Sequence, residues 1–317
     1  MGANNSLNVE EMVSIGGAPF NMTVAALRLS RMANAVAALH AETANRMWQH
    51  VEDRAKIIGI TNAIHLPTWV DEEILKAVDT GKNEELWEAH RQNKLELLDF
   101  IKERNGVQLD PDVLLIGFAR RAVGYKRSDL IFRDEGVITP LLKERKLQLV
   151  FSGKSHPFDD YGKAIIARLV QLARQYPEAV VFLENYDMTI ARQMTHGADV
   201  WLNNPRRPLE ASGTSGMKAA MNGVLNCSVL DGWWPEACQH GVNGWQFGDG
   251  YENYDEGKQD HHDLKALYHV LLKEVIPTYY NGREQWLKMM RQSVLSTKET
   301  FGMKRMLDEY YDKLYKK

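Results

Sequence analysis

Cysteine is scarce in this sequence: two residues in 317, Cys227 and Cys238, with neither CxxC spacing nor a histidine framework around them. That excludes a disulfide scaffold and points to a reducing, cytoplasmic setting. No run reaches the roughly eighteen apolar residues of a membrane span, so none is expected. The amino terminus lacks a basic stretch followed by an apolar one, so no secretory signal is expected. Charge of one sign is also missing in bulk. The net charge is −3, which gives no reason to expect nucleic acid or another polyanion as a partner. No internal repeat and no low-complexity segment is visible. The start, MGANNS, fits an N-myristoylation pattern. Asn-X-Ser/Thr sequons occur at Asn4, Asn21 and Asn226. Such short patterns recur by chance and carry no weight here.

What is present is enough for a packed core: 44% of residues are hydrophobic. At this length two domains, or one and part of another, are expected. Residues 1–80 read as a helical front. From Phe20, NMTVAALRLSRMANAVAALHAETANRMWQHV repeats apolar residues at three and four spacing without Gly or Pro, which predicts one or two buried helices. DEEILKAVDTGKNEELWEAHRQNKLELLDFIKERNG predicts two amphipathic helices, broken at Gly81 and capped at Gly106. Residues 81–317 then change texture. DVLLIGFARR, KLQLVFSGK, AVVFLENYD, ADVWLNNP and VLNCSVLDG are short apolar runs, with helical patterns between several of them. This alternation predicts an α/β fold with a doubly wound, Rossmann-like parallel sheet. Ligands of such sheets gather beyond the carboxyl ends of the strands.

Each predicted strand end carries polar groups. After LLIGFA come Arg120, Arg121, Tyr125, Lys126 and Arg127; after LVFSG, Lys154 and His156; after VVFLEN, Tyr186 and Asp187; after DVWLNN, Arg206, Arg207 and Glu210. A single surface cation is ordinarily just solvated. Their clustering at strand ends points instead to an anionic ligand, most simply phosphate. The stretch EASGTSGMKAAMNG, Glu210 to Gly223, reads as a loop running into a helix. Ser212 and Thr214 are cap types, while Gly213 and Gly216 free the backbone to turn N–H groups toward a ligand. A helix start with open N–H groups receives phosphate well. The spacing is not that of a Walker loop. Lys218 falls in the first turn beside Met217, Ala219 and Ala220. Burial there would lower its pKa, as a Schiff-base lysine requires, so a pyridoxal phosphate seat is one reading and an ordinary surface lysine the other.

The segment EASGTSGMKAAMNGVLNCSVLDGWWPEA resembles the cofactor-lysine segment of the α-glucan (glycogen, starch, maltodextrin) phosphorylase family. GFARRAVGYKRSDLIF resembles that family's phosphate-binding segment, and VVFLENYDMTIARQM and FNMTVAALRLSRMANAVAALHAETANRMW match in the same order. The resemblance runs from about Phe20 to the end. It implies the second Rossmann-like domain of a glycosyltransferase B arrangement, preceded by helices of an incomplete first domain. It implies pyridoxal 5′-phosphate held as an imine on Lys218, with the cofactor's phosphate as proton relay. It implies phosphorolysis of terminal α-1,4 bonds of a glucan by orthophosphate, releasing glucose 1-phosphate. By the same resemblance Arg121 and Lys126 clamp the substrate phosphate, with Tyr125 beside them. Thr214, Ser215, Gly216 and Arg120 hold the cofactor phosphate, and Tyr186 lies against the cofactor ring. Glu210, Ser212 and Gly213 bind hydroxyls of the terminal glucose.

The sequence departs from the family pattern in places. Arg120 stands where many members have Lys, Asp187 where better-known members have Arg, Arg31 where they have a glucose-contacting His, and Ser215-Gly216 where they have Gly-Asn. Family members are far longer, and most of the first domain, with its glycine-rich loop, has no counterpart here. A missing first domain, or a second copy of the chain, is therefore an expected partner. The alternatives are a piece that turns over nothing alone and a sugar-nucleotide glycosyltransferase of the same architecture. An imine lysine speaks against the latter. His261-His262 in a polar loop is not read as a metal site. Trp233-Trp234 could face a sugar or pack a loop, and Tyr310-Tyr311 is expected against the sheet.

Overall fold

The computed structural model describes residues 8–316, so the MGANNS pattern and the sequon at Asn4 lie outside the described residues. The chain begins with α1 (Val9–Gly16) and α2 (Met22–Leu29). A small β–α–β unit follows: β1 (Met32–Ala35), α3 (Ala38–Met47) and β2 (Lys56–Gly59). Its strands are parallel, in register from Met32↔Lys56 to Ala35↔Gly59. Leu27, Ala35 and Ile57 form its own small core, with Ala41, Ala44 and Trp48 packed on it. The sequence reading of this stretch as helix alone is therefore corrected. Alanine and methionine favour helix locally, but pairing with a partner some twenty residues on overrides that propensity.

Three helices lead to the main sheet: α4 (Leu66–Trp69), α5 (Glu72–Thr80) and α6 (Asn83–Asn105). Gly81 and Gly106 both adopt left-handed backbone at the ends of α5 and α6, as the sequence implied. The sheet is built from β3 (Leu115–Ala119), β4 (Gln148–Ser152), β5 (Val180–Leu183), β6 (Val200–Asn203), β7 (Leu225–Val229) and β8 (Gly244–Phe247). Between them run α7 (Glu135–Lys143), α8 (Asp160–Gln175), α9 (Met188–Gly197), α10 (Thr214–Met221) and α11 (Trp234–Ala237). The chain closes with α12 (Glu256–Val270), α13 (Ile276–Asn281), α14 (Arg283–Thr297) and α15 (Met303–Glu309).

All pairs in the sheet are parallel, and the order is β5-β4-β3-β6-β7-β8. Strand order therefore reverses between β3 and β6, and that crevice is where such folds bind ligands. The strands are buried on both faces, which is why they read as continuous apolar runs. Ile116, Phe118, Leu149, Phe151, Val200 and Leu202 face one helical layer with Ile138, Leu169 and Leu267. Leu115, Ala119, Val150, Val181 and Trp201 face the other, with Leu97, Ile101, Ile190 and Met194. Alternate residues of each strand thus feed opposite layers, which is the doubly wound arrangement. Ile74, Ala77 and Val78 of α5 join the first of these cores.

The carboxyl-terminal segment turns back to the front. Ile64 and Gly302 form a parallel bridge, Arg305 Nη1 donates to Thr61 O at 2.7 Å, and Asn34 Nδ2 donates to the Tyr310 hydroxyl at 2.8 Å. The expectation that Tyr310 and Tyr311 pack on the sheet is corrected: Tyr310 meets the front unit, and Tyr311 is exposed. Trp233 and Trp234 are buried, with Phe301 edge-on to Trp233, so they pack a core instead of facing a sugar. Asn226 is fully buried, which removes its sequon from consideration. Among the described residues no helix is long and apolar enough to cross a membrane.

Candidate active site

Two loops leave the sheet at the point where strand order reverses. The loop after β3 carries Arg120, Arg121, Tyr125 and Lys126. The loop after β6 carries Asn204, Glu210, Ser212 and Gly213 and runs into α10. Their side chains converge. Glu210 Oε2 accepts from Arg120 Nη2 at 2.5 Å and from Lys126 Nζ at 2.9 Å. Arg120 Nη1 also donates to Asn203 Oδ1 at 3.2 Å. All three charged groups are buried. Arg121, by contrast, is exposed at the rim.

Two cations on one carboxylate leave a surplus of positive charge, and burial makes it felt. Burial first, then the charge of Arg120, pushes Lys126 down to about 8 against the pull of Glu210. Burial alone would raise Glu210, but Arg120 and Lys126 outweigh it and hold the carboxyl below its usual range. Tyr125 and Tyr186 are both raised by burial, against the opposing charge of Arg120. The Lys126 ammonium lies 5.2 Å from the centre of the Tyr125 ring.

The backbone around Glu210 is fixed by Asp231. Its Oδ2 accepts from Glu210 N at 2.9 Å and its Oδ1 from Gly232 N at 2.8 Å. Burial pushes Asp231 up to about 7. The two loops are tied together by Arg127, which is fully buried with a left-handed φ of 50°. It donates to Asn204 O at 2.7 Å and to Pro205 O at 2.8 Å, and its other contacts are Asp260 at 3.0 Å and Asp263 at 2.7 Å. Arg206 pairs with Asp260 and Glu256, and Arg207 with Glu252. Three of the strand-end cations are thus engaged by carboxylates and hold loops in place. Lys154 and His156 are exposed.

The β–α helices α7, α8, α9 and α12 begin with Asp caps, whereas α10 has no side-chain cap and starts from Gly213 at φ 83°. A Cβ on Gly213 would lie 3.5 Å from Arg120 Nη2 and from Glu210 Cγ, so the helix start abuts the charged cluster. A Cβ on Gly216 would meet Asn226 Oδ1 at 2.7 Å. Ser215 Oγ accepts from Trp201 Nε1 at 3.3 Å, and Thr214 is half-buried. Ser212 Oγ is buried and finds no partner among the described residues. Lys218 points elsewhere: its Nζ lies 3.2 Å from the centre of the Trp69 ring, and burial lowers its pKa to about 8. It makes no ion pair with the cluster among the described residues.

These residues fit a phosphate-bearing aromatic aldehyde. Lys218 is an amine made partly neutral near pH 8, the Trp69 ring is an aromatic surface beside it, and the uncapped start of α10 beside Arg120 suits a phosphate. The orphaned Ser212 hydroxyl is a further polar group awaiting a partner. Sequence reasoning did not single out Trp69, Asn203 or Asp231. Trp69 and Asn203 lie far along the chain from Lys218 and Arg120, Asp231 lies 21 residues from Glu210, and none carries a local pattern.

A family model described as carbohydrate phosphorylase matches residues 46–313. The chain is 41% identical to a maltodextrin phosphorylase of Thermococcus litoralis, over 97% of this chain and 42% of that protein. It is 39% identical to a glycogen phosphorylase of Aquifex aeolicus, over 98% and 52%, and 35% identical to one of Mycobacterium bovis, over 98% and 42%. The chain thus spans about half the length, or less, of these curated relatives.

Proposed function

From the premise that this chain belongs to the carbohydrate phosphorylase family, we propose that it supplies the cofactor-bearing side of an α-glucan phosphorylase active site. The reaction would be attack of orthophosphate on the terminal α-1,4 bond of a glucan, giving glucose 1-phosphate. The observation that carries this reading is the buried Arg120–Lys126–Glu210 cluster set against the uncapped start of α10, four residues before Lys218.

In this reading Lys218 attaches pyridoxal phosphate, with Trp69 and Tyr186 as its aromatic walls. Arg120 and the backbone N–H groups of Thr214, Ser215 and Gly216 receive the cofactor's phosphate. When bound, the cofactor supplies a phosphate able to exchange a proton with the substrate phosphate. Lys126 keeps its proton below about pH 8 and, with Arg121, holds the substrate dianion by charge-assisted hydrogen bonds. A fixed dianion beneath the sugar favours the positive charge that develops at the anomeric carbon. Glu210, ionised and pinned by Asp231, accepts from sugar hydroxyls, and Ser212 and Gly213 complete that contact. Water exclusion requires a second wall, so the lone chain is expected to bind cofactor and turn over little. The partner would be the first domain of a longer phosphorylase or a second copy of this chain. The division at residue 80 and a cytoplasmic location belong to the same proposal, the latter in keeping with two free cysteines.

Borohydride reduction of the chain loaded with pyridoxal phosphate, followed by peptide mapping, should label Lys218. Label on another lysine would remove the assignment. Glucose 1-phosphate formation from maltodextrin should appear when the remaining length of a relative is supplied. Turnover of about 1–1000 per second by the lone chain would contradict the two-wall reading.

A further inference from the structure

Behind the two site loops lies a second layer of charge, with one carboxylate at its centre. Asp260 stands near the start of α12 and is buried. Three guanidinium groups converge on it. Its Oδ1 accepts from Arg127 Nη1 at 3.0 Å and from Arg206 Nε at 2.8 Å. Its Oδ2 accepts from Arg206 Nη2 at 2.9 Å and from Arg133 Nη1 at 2.5 Å. Arg127 directly follows Lys126 in the loop after β3, and Arg206 comes shortly before Glu210 in the loop after β6. One side chain outside the site thus holds both loops that supply the Lys126–Glu210 pair.

The loops also touch each other here. Arg206 N donates to Tyr125 O at 2.8 Å, and Asn204 Nδ2 donates to Arg127 O at 2.8 Å. Loss of Asp260 would affect the two arginines differently. Arg127 would keep Asp263 at 2.7 Å and the carbonyls of Asn204 and Pro205. Arg206 would keep Glu256 as its carboxylate partner among the described residues, and that side chain is 69% exposed. Exposed pairs hold little, whereas a bidentate pair with a carboxylate fixes distance and plane together. Asp260 is thus the buried side-chain anchor of the loop that leads to Glu210.

We propose that Asp260 is a positioning residue for the reaction: through Arg127 and Arg206 it fixes the separation at which Lys126 faces Glu210. It bonds to neither of them and acts through their neighbours in the chain. The inference rests on the reading of that pair as part of the phosphate and sugar site, and its geometric half is measurable without turnover.

The readout is the titration of the Lys126 ammonium, followed by ¹³C NMR of the chain labelled at lysine Cε, with Lys126→Arg assigning the signal. The sign separates position from charge. Deleting a nearby carboxylate makes an ammonium easier to deprotonate, so a purely electrostatic effect of Asp260→Asn lowers the titration. Release of Lys126 from its buried place beside Arg120 raises it instead, from about 8 toward the ordinary lysine value. The expected rise is about one pH unit or more. Arg206→Gln, which cuts only the arm to the loop after β6, should raise it as well and serves if Asp260→Asn fails to fold. Asp260→Glu, which keeps the charge, should titrate closer to the parent chain than Asp260→Asn. Val181→Ala, a core change in the edge strand β5, should leave the titration in place. The proposal is overturned if the titration stays or falls in the folded Asp260→Asn or Arg206→Gln chain, if Asp260→Glu titrates no closer to the parent, or if Val181→Ala raises it equally. Orthophosphate should shift the parent's Lys126 signal, with affinity about tenfold weaker in Asp260→Asn. No shift in the parent would remove the reading of the site and, with it, the role in the reaction. A parent shift with equal affinity in Asp260→Asn would overturn the proposal and leave that reading in place.

Discussion

Asp231 is a carboxyl whose environment works against its charge, and this gives a signed expectation. Burial raises it to about 7 from an ordinary value of 3.8, so between those pH values the folded chain binds more protons than the unfolded one. Its contribution therefore makes stability fall as pH rises through that window, on the order of 4 kcal/mol in all. Asp231→Asn should flatten this fall, read as urea midpoints at pH 5 and pH 7; an unchanged difference between the two would remove the assignment. Two lysines have the reverse sign. Lys126 and Lys218 are both lowered to about 8, so the unfolded chain binds more protons above that pH and their share of stability rises toward pH 10. Between the two residues proposed to clamp phosphate, exposure separates the outcomes. Arg121→Ala should leave stability within about 0.5 kcal/mol, since the side chain is exposed. Lys126→Ala removes one of two cations from a buried carboxylate and should destabilise measurably. In an active assembly both should weaken orthophosphate use about tenfold or more while sparing the glucan constant. A change in the glucan constant alone would place the phosphate clamp elsewhere.

The elements were legible in the sequence to the extent that local physics decides them. The five short apolar runs became β3 to β7, and the glycines after α5 and α6 marked true ends. Three strands were not read: β8, β1 and its partner β2. β8, Gly244–Phe247, contains glycine and glutamine and is recognisable only by the β7 edge it completes. β1 is alanine-rich and becomes a strand only through β2. The candidate site was half legible. Its residue types and loops could be read, but the pairing of Glu210 with Arg120 joins positions 90 residues apart. Nor could the sequence show that Arg127, Arg206 and Arg207 are engaged by carboxylates and carbonyls inside the fold. Turn geometry gives a matched test. Gly232 and Gly241 both have positive φ, but a Cβ on Gly232 would meet Ser212 O at 2.3 Å, while on Gly241 nothing lies within 4 Å. Gly241→Ala should cost about 1–2 kcal/mol from backbone conformation alone. Gly232→Ala should cost more by denaturant melt and should disturb the backbone that carries Ser212. Equal costs would mean that crowding at Ser212 is relieved elsewhere.

At the scale of the molecule, the main sheet has a complete two-layer core, whereas the front β–α–β unit has a core of only a few side chains. The front is held largely by others. Glu236 accepts from Ala38 N at 2.9 Å and from the Thr61 hydroxyl at 2.7 Å, and the segment after Gly302 supplies Arg305 and Tyr310. Removal of residues 303–317 should therefore raise amide hydrogen exchange across β1 and β2 while leaving β3 to β7 protected. Uniform loss of protection would show one cooperative unit instead of two.

That return of the tail onto the front also sets an order of events during synthesis. Residues 32–64 leave the ribosome well before the partners of Ile64, Thr61 and Asn34, which are Gly302, Arg305 and Tyr310. Growing chains ordinarily fold from the amino end forward. Here the earlier-made unit stays loosely held until a segment made 244 residues later arrives, so the growing chain carries it without its partners while the whole main sheet is synthesised.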